Sequence, residues 1–234
     1  GLTESEKAPA KDDTSKKLIE QIVSDEAGMD ALIAAARKAE RIAVVPADGL
    51  DAVEICDGET LYRAQWSVAG EKYNELLRTV FSPEVKKLGH NIKDLMGLLM
   101  KDELPVEGFT FDTALAAYLL DANNGDYSLT RISTKYLSHE LDGAQAIFEL
   151  YSVLDAKLDE LDMTKLYYEV ELPLCRVLAD MEASGFYVDR KALYDFGESL
   201  NDGIAQMQAG IWAHAGHEFN INSPKQLGEV LFEE

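Results

Sequence analysis

The sequence predicts an α/β domain, with helices packed on a mixed sheet, that gives way to a run of long helices. Three observations carry this expectation. Short β-prone runs at 41–46, 52–56 and 60–66 are separated by Asp and Gly turn signals. Segments of helical and strand character then alternate to about residue 110. From Phe111 onward, apolar residues recur only at helical spacing.

In order along the chain, residues 1–17 mix Lys, Asp, Ser and Pro with few large apolar side chains, and read as a linker arriving from an upstream domain. Ser24-Asp25 ahead of Met29, Leu32 and Ile33 gives an N-cap and then helical spacing, predicting a helix to about Ala39. The three β-prone runs follow as an antiparallel meander. A helix is expected over 72–80, a strand at 86–88, a helix over 91–100 and a strand at 108–110. Helices are then expected over 113–120, 128–137, 144–161, 165–183 and 190–215. Val170, Leu174, Val177, Leu178 and Met181 form an apolar stripe on the fourth of these, and Pro173 should kink it or distort its early turns. Gly185 supplies a C-terminal stop, and residues 186–189 an extended connector. A last helix begins at Asn222 or Ser223, with Pro224 in its first turn. A domain does not normally stop one helix after beginning, so a truncated chain is expected. There is no internal repeat.

At 234 residues the chain has room for one large domain, or one domain and part of another. The excess of 43 acidic over 22 basic residues argues against a broad basic nucleic-acid face, because phosphate binding relies on Lys and Arg displacing counterions. DNA contact by this chain alone is therefore expected to be weak. Cys56 and Cys175 have no partner at metal-ligand spacing and read as core thiols in a reducing compartment. No apolar run approaches the roughly 20 residues of a membrane helix, and the polar N-terminus is not a signal peptide. A cytoplasmic monomer without membrane contact is expected.

The run from Glu171 through Leu172-Pro-Leu-Cys-Arg-Val-Leu-Ala-Asp-Met-Glu-Ala-Ser-Gly-Phe-Tyr-Val-Asp189, a long helix, and then Ala215-Gly-His-Glu-Phe-Asn-Ile-Asn-Ser-Pro-Lys-Gln-Leu-Gly-Glu-Val-Leu-Phe232 resembles the opening of the polymerase domain in the bacterial DNA polymerase I family, family A. Upstream, Leu88-Gly-His-Asn-Ile-Lys93 and Phe111-Asp-Thr-Ala-Leu-Ala-Ala-Tyr-Leu-Leu-Asp121 resemble that family's 3′–5′ exonuclease domain. The four matches occur in the family's order. The resemblance implies a ribonuclease-H-like, DEDD-type exonuclease-like domain over 18–161, followed over 162–234 by the first, incomplete thumb helices of a polymerase. The palm and fingers, which hold the nucleotide and the catalytic Mg2+, would come later. No cofactor is expected in this segment itself.

Two-metal phosphodiester hydrolysis needs carboxylates converging on two cations roughly 3.5–4 Å apart. In active members of the family the first strand carries Asp-x-Glu-Thr-Asp-Ser-Leu, a second Asp follows the Asn-x-Lys run, and a late helix provides Tyr-x-x-x-Asp. Matching the first motif's close to Asp48-Gly-Leu50 puts Val44 and Pro46 at the two carboxylate positions. A shift brings in Asp48 or Asp51, which read as turn formers around Gly49. Asn91-Ile-Lys93 places Leu95 at the second Asp position and Asp94 one residue early. One helical step rotates a side chain by about 100°, which would turn Asp94 away from the pocket. Its place in a first turn suits the helix dipole instead.

The third motif registers in more than one way. Matching Ile147-Phe-Glu-Leu150 sets His139 and Gly143 at the Tyr and Asp positions, while counting back from Pro173 gives Ser138 and Asp142. A literal Tyr-x-x-x-Asp stands at Tyr151–Asp155, closer to Pro173 than the family has it. Asp112 beside Thr113 reads as a helix cap. His90, His139, His214 and His217 offer no i, i+4 zinc pair.

The resemblance thus implies a DNA-directed DNA polymerase of replication and repair, binding DNA through the whole enzyme, with an exonuclease-like domain reduced to a scaffold. The apolar replacements should help fill the old cleft. Two alternatives stand beside it: a residual metal-dependent 3′–5′ exonuclease using Asp48, Asp94, Asp142 and Asp155 in displaced positions, and an acidic protein-interaction module.

Overall fold

Among the described residues six strands form one mixed sheet, in the order β1 (Ile19–Ile22), β4 (Thr60–Gln65), β3 (Ala52–Cys56), β2 (Ile42–Ala47), β5 (Lys87–Gly89) and β6 (Phe109–Asp112). The structure is a computed structural model that describes residues 18–47 and 49–232; the linker expected over 1–17 lies outside those residues. Strands β2 (Ile42–Ala47), β3 (Ala52–Cys56) and β4 (Thr60–Gln65) make the expected antiparallel meander. Strands β5 (Lys87–Gly89) and β6 (Phe109–Asp112) extend it in parallel beyond β2.

Three details differ from the sequence expectation. Ile19–Ile22 forms a further strand, β1, parallel to β4 at the sheet edge. All four of its residues are exposed, so there is no alternation for a sequence pattern to show. Trp66 does not end β4 but opens a helical turn, α2 (Trp66–Ala69), and meets Tyr73 edge-on with ring centroids 6.4 Å apart. Phe111 and Asp112 belong to β6 rather than to the helical half.

Alternation along β2 sorts side chains to the two faces. Ile42 and Val44 join one apolar cluster with Val53 and Ile55 of β3. Ala43 joins the other with Cys56, Leu88 and Phe111. The first cluster is covered by α1 (Glu26–Lys38), α3 (Glu71–Val80), α4 (Ile92–Lys101) and α9 (Leu172–Ser184). The second is covered by α5 (Thr113–Leu120), α6 (Leu129–Leu137) and α7 (Gly143–Glu160). A strand buried on both faces between two helical layers gives a three-layer αβα body. Both cysteines are free and buried, and burial pushes each thiol up to about 11.

Local signals act as their chemistry dictates. Asp25 accepts from the Gly28 N–H at 2.7 Å and starts α1. Pro173 has no N–H, and the helix widens just before it into a π turn over Tyr167–Glu171, where the Leu172 N–H reaches back to the Tyr167 carbonyl. That turn follows α8 (Thr164–Leu166) and sets Tyr167 fully inside the core.

Lys87 is also fully buried. Its ammonium donates to the carbonyls of Ser82 at 3.0 Å, Val85 at 2.8 Å and Glu107 at 2.5 Å, and lies 5.2 Å from the centre of the Phe109 ring. Three donors meet three acceptors when the amine is protonated, while burial lowers its pKa to about 7. Gly108, at φ +79°, passes so close to this ammonium that a side chain there would collide with it.

The chain divides into two compact units, with the boundary between Ser184 and Gly185. Gly185 adopts φ +65° and ends α9. The second unit carries α10 (Arg190–Ala215), capped by Asp189 on the Ala192 N–H, and α11 (Pro224–Phe232), whose Gln226 N–H meets the Ser223 hydroxyl at 3.4 Å.

Candidate functional site

Beyond Ala43 the parallel ladder between β2 and β5 stops, since its paired residues are Ile42 with Lys87 and Ala43 with Leu88. From Val44 onward one edge of β2 is therefore free of β5, which is why Pro46 costs the sheet no hydrogen bond there. The two strands point the same way, and a crevice outside the carboxyl ends of parallel strands is where open α/β sheets place ligands. A cavity of about 360 Å³ lies here. Val44, Pro46, His90, Asn91, Asp94 and Leu95 line it, with Leu98, Leu129 and Ile147 among the residues closing it.

The turn from β5 into α4 is held by an unusual cap. Asn91 takes the left-handed conformation at φ 53°, which Asn tolerates better than most residues. Its N–H donates to Asp112 Oδ1 at 3.1 Å, and the Ile92 N–H donates to Oδ2 at 2.8 Å. The same Asp112 Oδ1 accepts from Ala114 and Leu115 at the start of α5, at 2.9 and 3.2 Å. One carboxylate thus caps two helices. The capping of α5 was legible before Thr113; the capping of α4, from 20 residues away, was not. Tyr167 clasps the backbone of the same residue, accepting from the Asp112 N–H at 2.6 Å and donating to its carbonyl at 3.0 Å. Burial pushes the Asp112 carboxyl upward, opposed by the backbone donors and by His90.

His90 is oriented by Thr113. The Thr113 hydroxyl donates to the Gly89 carbonyl at 3.3 Å, so its oxygen accepts from His90 Nδ1–H at 2.9 Å. This assigns the imidazole the tautomer whose Nε2 carries a lone pair. Burial holds His90 below the usual imidazole range, with Asp112 and Asp142 opposing.

The structure brings Val44, Pro46, Leu95 and Asp94 to one cavity and leaves the other sequence candidates apart. Asp94 is among the residues lining the cavity and stands in the first turn of α4. Its side chain is 71% exposed, however, and pairs with Lys93 at 3.2 Å, while Lys93 also reaches Glu182 of α9 at 2.6 Å. Asp142 caps α7 by accepting from the Gly143 N–H at 2.9 Å. Gly143, at φ +67°, abuts Glu54, whose carboxylate accepts from the Ala144 N–H at 2.8 Å. Asp155 accepts from the Tyr168 hydroxyl at 2.7 Å, and Tyr151 lies under the Arg41 guanidinium, 4.6 Å from the ring centre. His139 Nδ1–H donates to the Leu137 carbonyl at 2.9 Å. From α7 it is Ile147 that faces the cavity. Asp48 lies outside the described residues.

Among the described residues no group of three or more His, Cys, Asp or Glu side chains is arranged to hold a metal ion. The described donors at the cavity, His90, Asn91 and Asp94, do not suit a pair of divalent cations. Val44 and Leu95 are buried in the first apolar cluster, and a cavity remains beside them that His90 also lines. The polar wall formed by His90 is not anticipated when the histidines are read for metal spacing alone. Its place directly before Asn91-Ile-Lys93 was the available signal.

The family model for the ribonuclease H-like domain of DNA polymerase I matches residues 50–149. DNA polymerase I of Mycobacterium leprae (strain TN) is 32% identical over 211 residues, covering 78% of this chain and 23% of that protein. The chain belongs to the DNA polymerase I family. DNA polymerase I of Caldicellulosiruptor bescii is 30% identical over 167 residues, covering 68% of this chain and 20% of that protein. A solved structure described as the POL domain of Pol1 from M. smegmatis, in complex with DNA primer-template and dNTP, matches with a TM-score of 0.79 at 27% identity, covering 92% of this chain and 40% of that one. The chain thus spans less than a quarter of the length of these DNA polymerase I relatives. Its αβα body is the family's ribonuclease H-like domain. Among the described residues no helix is long and apolar enough to cross a membrane.

Proposed function

We propose that the chain is the exonuclease-like domain and the opening of the polymerase domain of a cytoplasmic, monomeric DNA-directed DNA polymerase of replication and repair, and that the exonuclease-like domain is a scaffold without nuclease chemistry. In this reading 18–161 is the exonuclease-like part and 162–234 begins the thumb. DNA binding and Mg2+-dependent nucleotidyl transfer belong to the whole enzyme. What supports the scaffold role is the cavity wall: Val44, Pro46 and Leu95, which this reading matches to the family's carboxylate positions, line one cavity, and Asp94 is the single carboxylate among the lining residues described. Apolar side chains offer no anionic oxygen to two dications.

The test is incubation of the chain with a labelled single-stranded oligonucleotide and Mg2+ or Mn2+, with a parallel metal titration. The oligonucleotide should remain intact and no paired metal binding should appear. The presence of Asp94 at the cavity favours one competing reading, a residual nuclease with displaced carboxylates. Metal-dependent shortening from the 3′ end, abolished in Asp94→Ala or Asp142→Ala, would establish that reading instead. Primer extension by this chain alone should show no incorporation, and binding to short DNA at physiological salt should be weak, given the net charge of −21.

A further inference from the structure

We propose that the cavity at the carboxyl ends of β2 and β5 is a binding site for a small, phosphate-free heteroaromatic molecule that donates an N–H to His90 Nε2. The inference rests on the scaffold reading, in which no metal occupies this cleft.

Four observations specify the ligand. The volume of about 360 Å³ is that of a small-molecule pocket rather than a packing defect. Its walls are largely aliphatic, from Val44, Pro46, Leu95, Leu98, Leu129 and Ile147. A flat apolar body is what such walls hold. The acceptors that meet it are His90 Nε2, whose tautomer is set by Thr113, and the Asp94 carboxylate at the rim, with Asn91 beside them. Nε2 has no hydrogen-bond partner among the described residues, so a donor arriving from a ligand would complete the ring's bonding. Finally, no Lys or Arg is among the described residues lining the cavity, and the Asp142 charge is felt at His90. A phosphate would meet the Asp94 carboxylate, whose neighbouring Lys93 is already paired with Asp94 and Glu182, so a nucleoside monophosphate is disfavoured against a bare heterocycle. Burial keeps His90 neutral near pH 7.5, which preserves the lone pair.

Benzimidazole supplies the required N–H, and 1-methylbenzimidazole has nearly the same shape without it. With EDTA present, calorimetric titration of the chain should show saturable binding of benzimidazole. Binding of the methylated analogue should be weaker by about tenfold, because it cannot make the hydrogen bond to Nε2. Adenosine monophosphate should not bind. In nitrogen-15 spectra of the wild-type chain, the His90 Nε2 resonance should move on adding benzimidazole and stay in place with the analogue. A His90→Phe variant should bind both compounds equally weakly; if that variant does not fold, the two compounds on the wild-type chain and the His90 resonance decide the matter. Equal affinity for the two compounds, no saturable binding of benzimidazole, or stronger binding of adenosine monophosphate would overturn the proposal. Because metal is chelated throughout, failure here is separate from failure of the scaffold reading, which the Mn2+ titration tests.

Discussion

In α1, Met29, Leu32, Ile33 and Ala36 sit at helical spacing and all four are buried. In α10, Leu193, Phe196, Leu200, Ile204, Met207 and Ile211 sit at similar spacing, and none of the 26 residues of that helix is buried. The unit over 18–184 closes two apolar clusters around its sheet, whereas the helices over 190–232 contain no buried residue at all. An amphipathic pattern therefore states that a face has to be covered, and leaves open what covers it. The first unit is expected to unfold cooperatively as its own domain, and the second to open locally at much lower free energy.

Removing the double cap is the strongest way to break this contrast. Asp112→Ala leaves four backbone N–H groups at two helix starts without their acceptor, and should destabilise the unit over 18–184 by about 3–5 kcal/mol. Urea unfolding followed by Tyr fluorescence would measure it. An effect under about 1 kcal/mol would show that the sheet body does not depend on this hub.

Next in size is Lys87→Met, which strands the carbonyls of Ser82, Val85 and Glu107, and should cost about 2–4 kcal/mol in the same assay. A neutral or stabilising outcome would mean that the apolar side chain recovers in burial what the three bonds provide.

A smaller effect comes from pH. The folded pKa of His90 is lowered by burial, below the unfolded value of about 6.5. In the window from that value down to the folded pKa, the unfolded chain binds the extra proton, so stability falls as the pH falls through it. His90→Phe should flatten this part of the stability profile relative to the wild type. An unchanged slope in urea midpoints measured across the window would remove the buried imidazole from the account.

The smallest expected effect sharpens the comparison from the other side. Phe196 is 61% exposed on α10, and Phe196→Gln should leave the stability of the unit over 18–184 within about 0.5 kcal/mol of wild type. Hydrogen exchange resolved by segment would detect any larger transfer of protection between the two units.

Several features were settled by the sequence alone, because their physics is local. The cap at Asp25 lies within one turn of the donor it satisfies, and the stop at Gly185 needs only a residue that accepts φ > 0. The disturbance before Pro173 follows from one missing N–H, although its form as a π turn was not specified. The meander was legible because its turns are marked, and the family was legible because its motifs fall in order. The tertiary structure alone decided what depends on groups distant in sequence. It joined Asp112 to the start of α4, matched three carbonyls to the Lys87 ammonium, and added an exposed edge strand that has no alternation. It also selected Ile147, rather than Asp142, Gly143 or Asp155, as the face of α7 turned to the cavity. Helical spacing limits which residues share a face, but only packing against the sheet chooses the face, and the space left between apolar side chains depends on backbones whose separation no residue sets by itself.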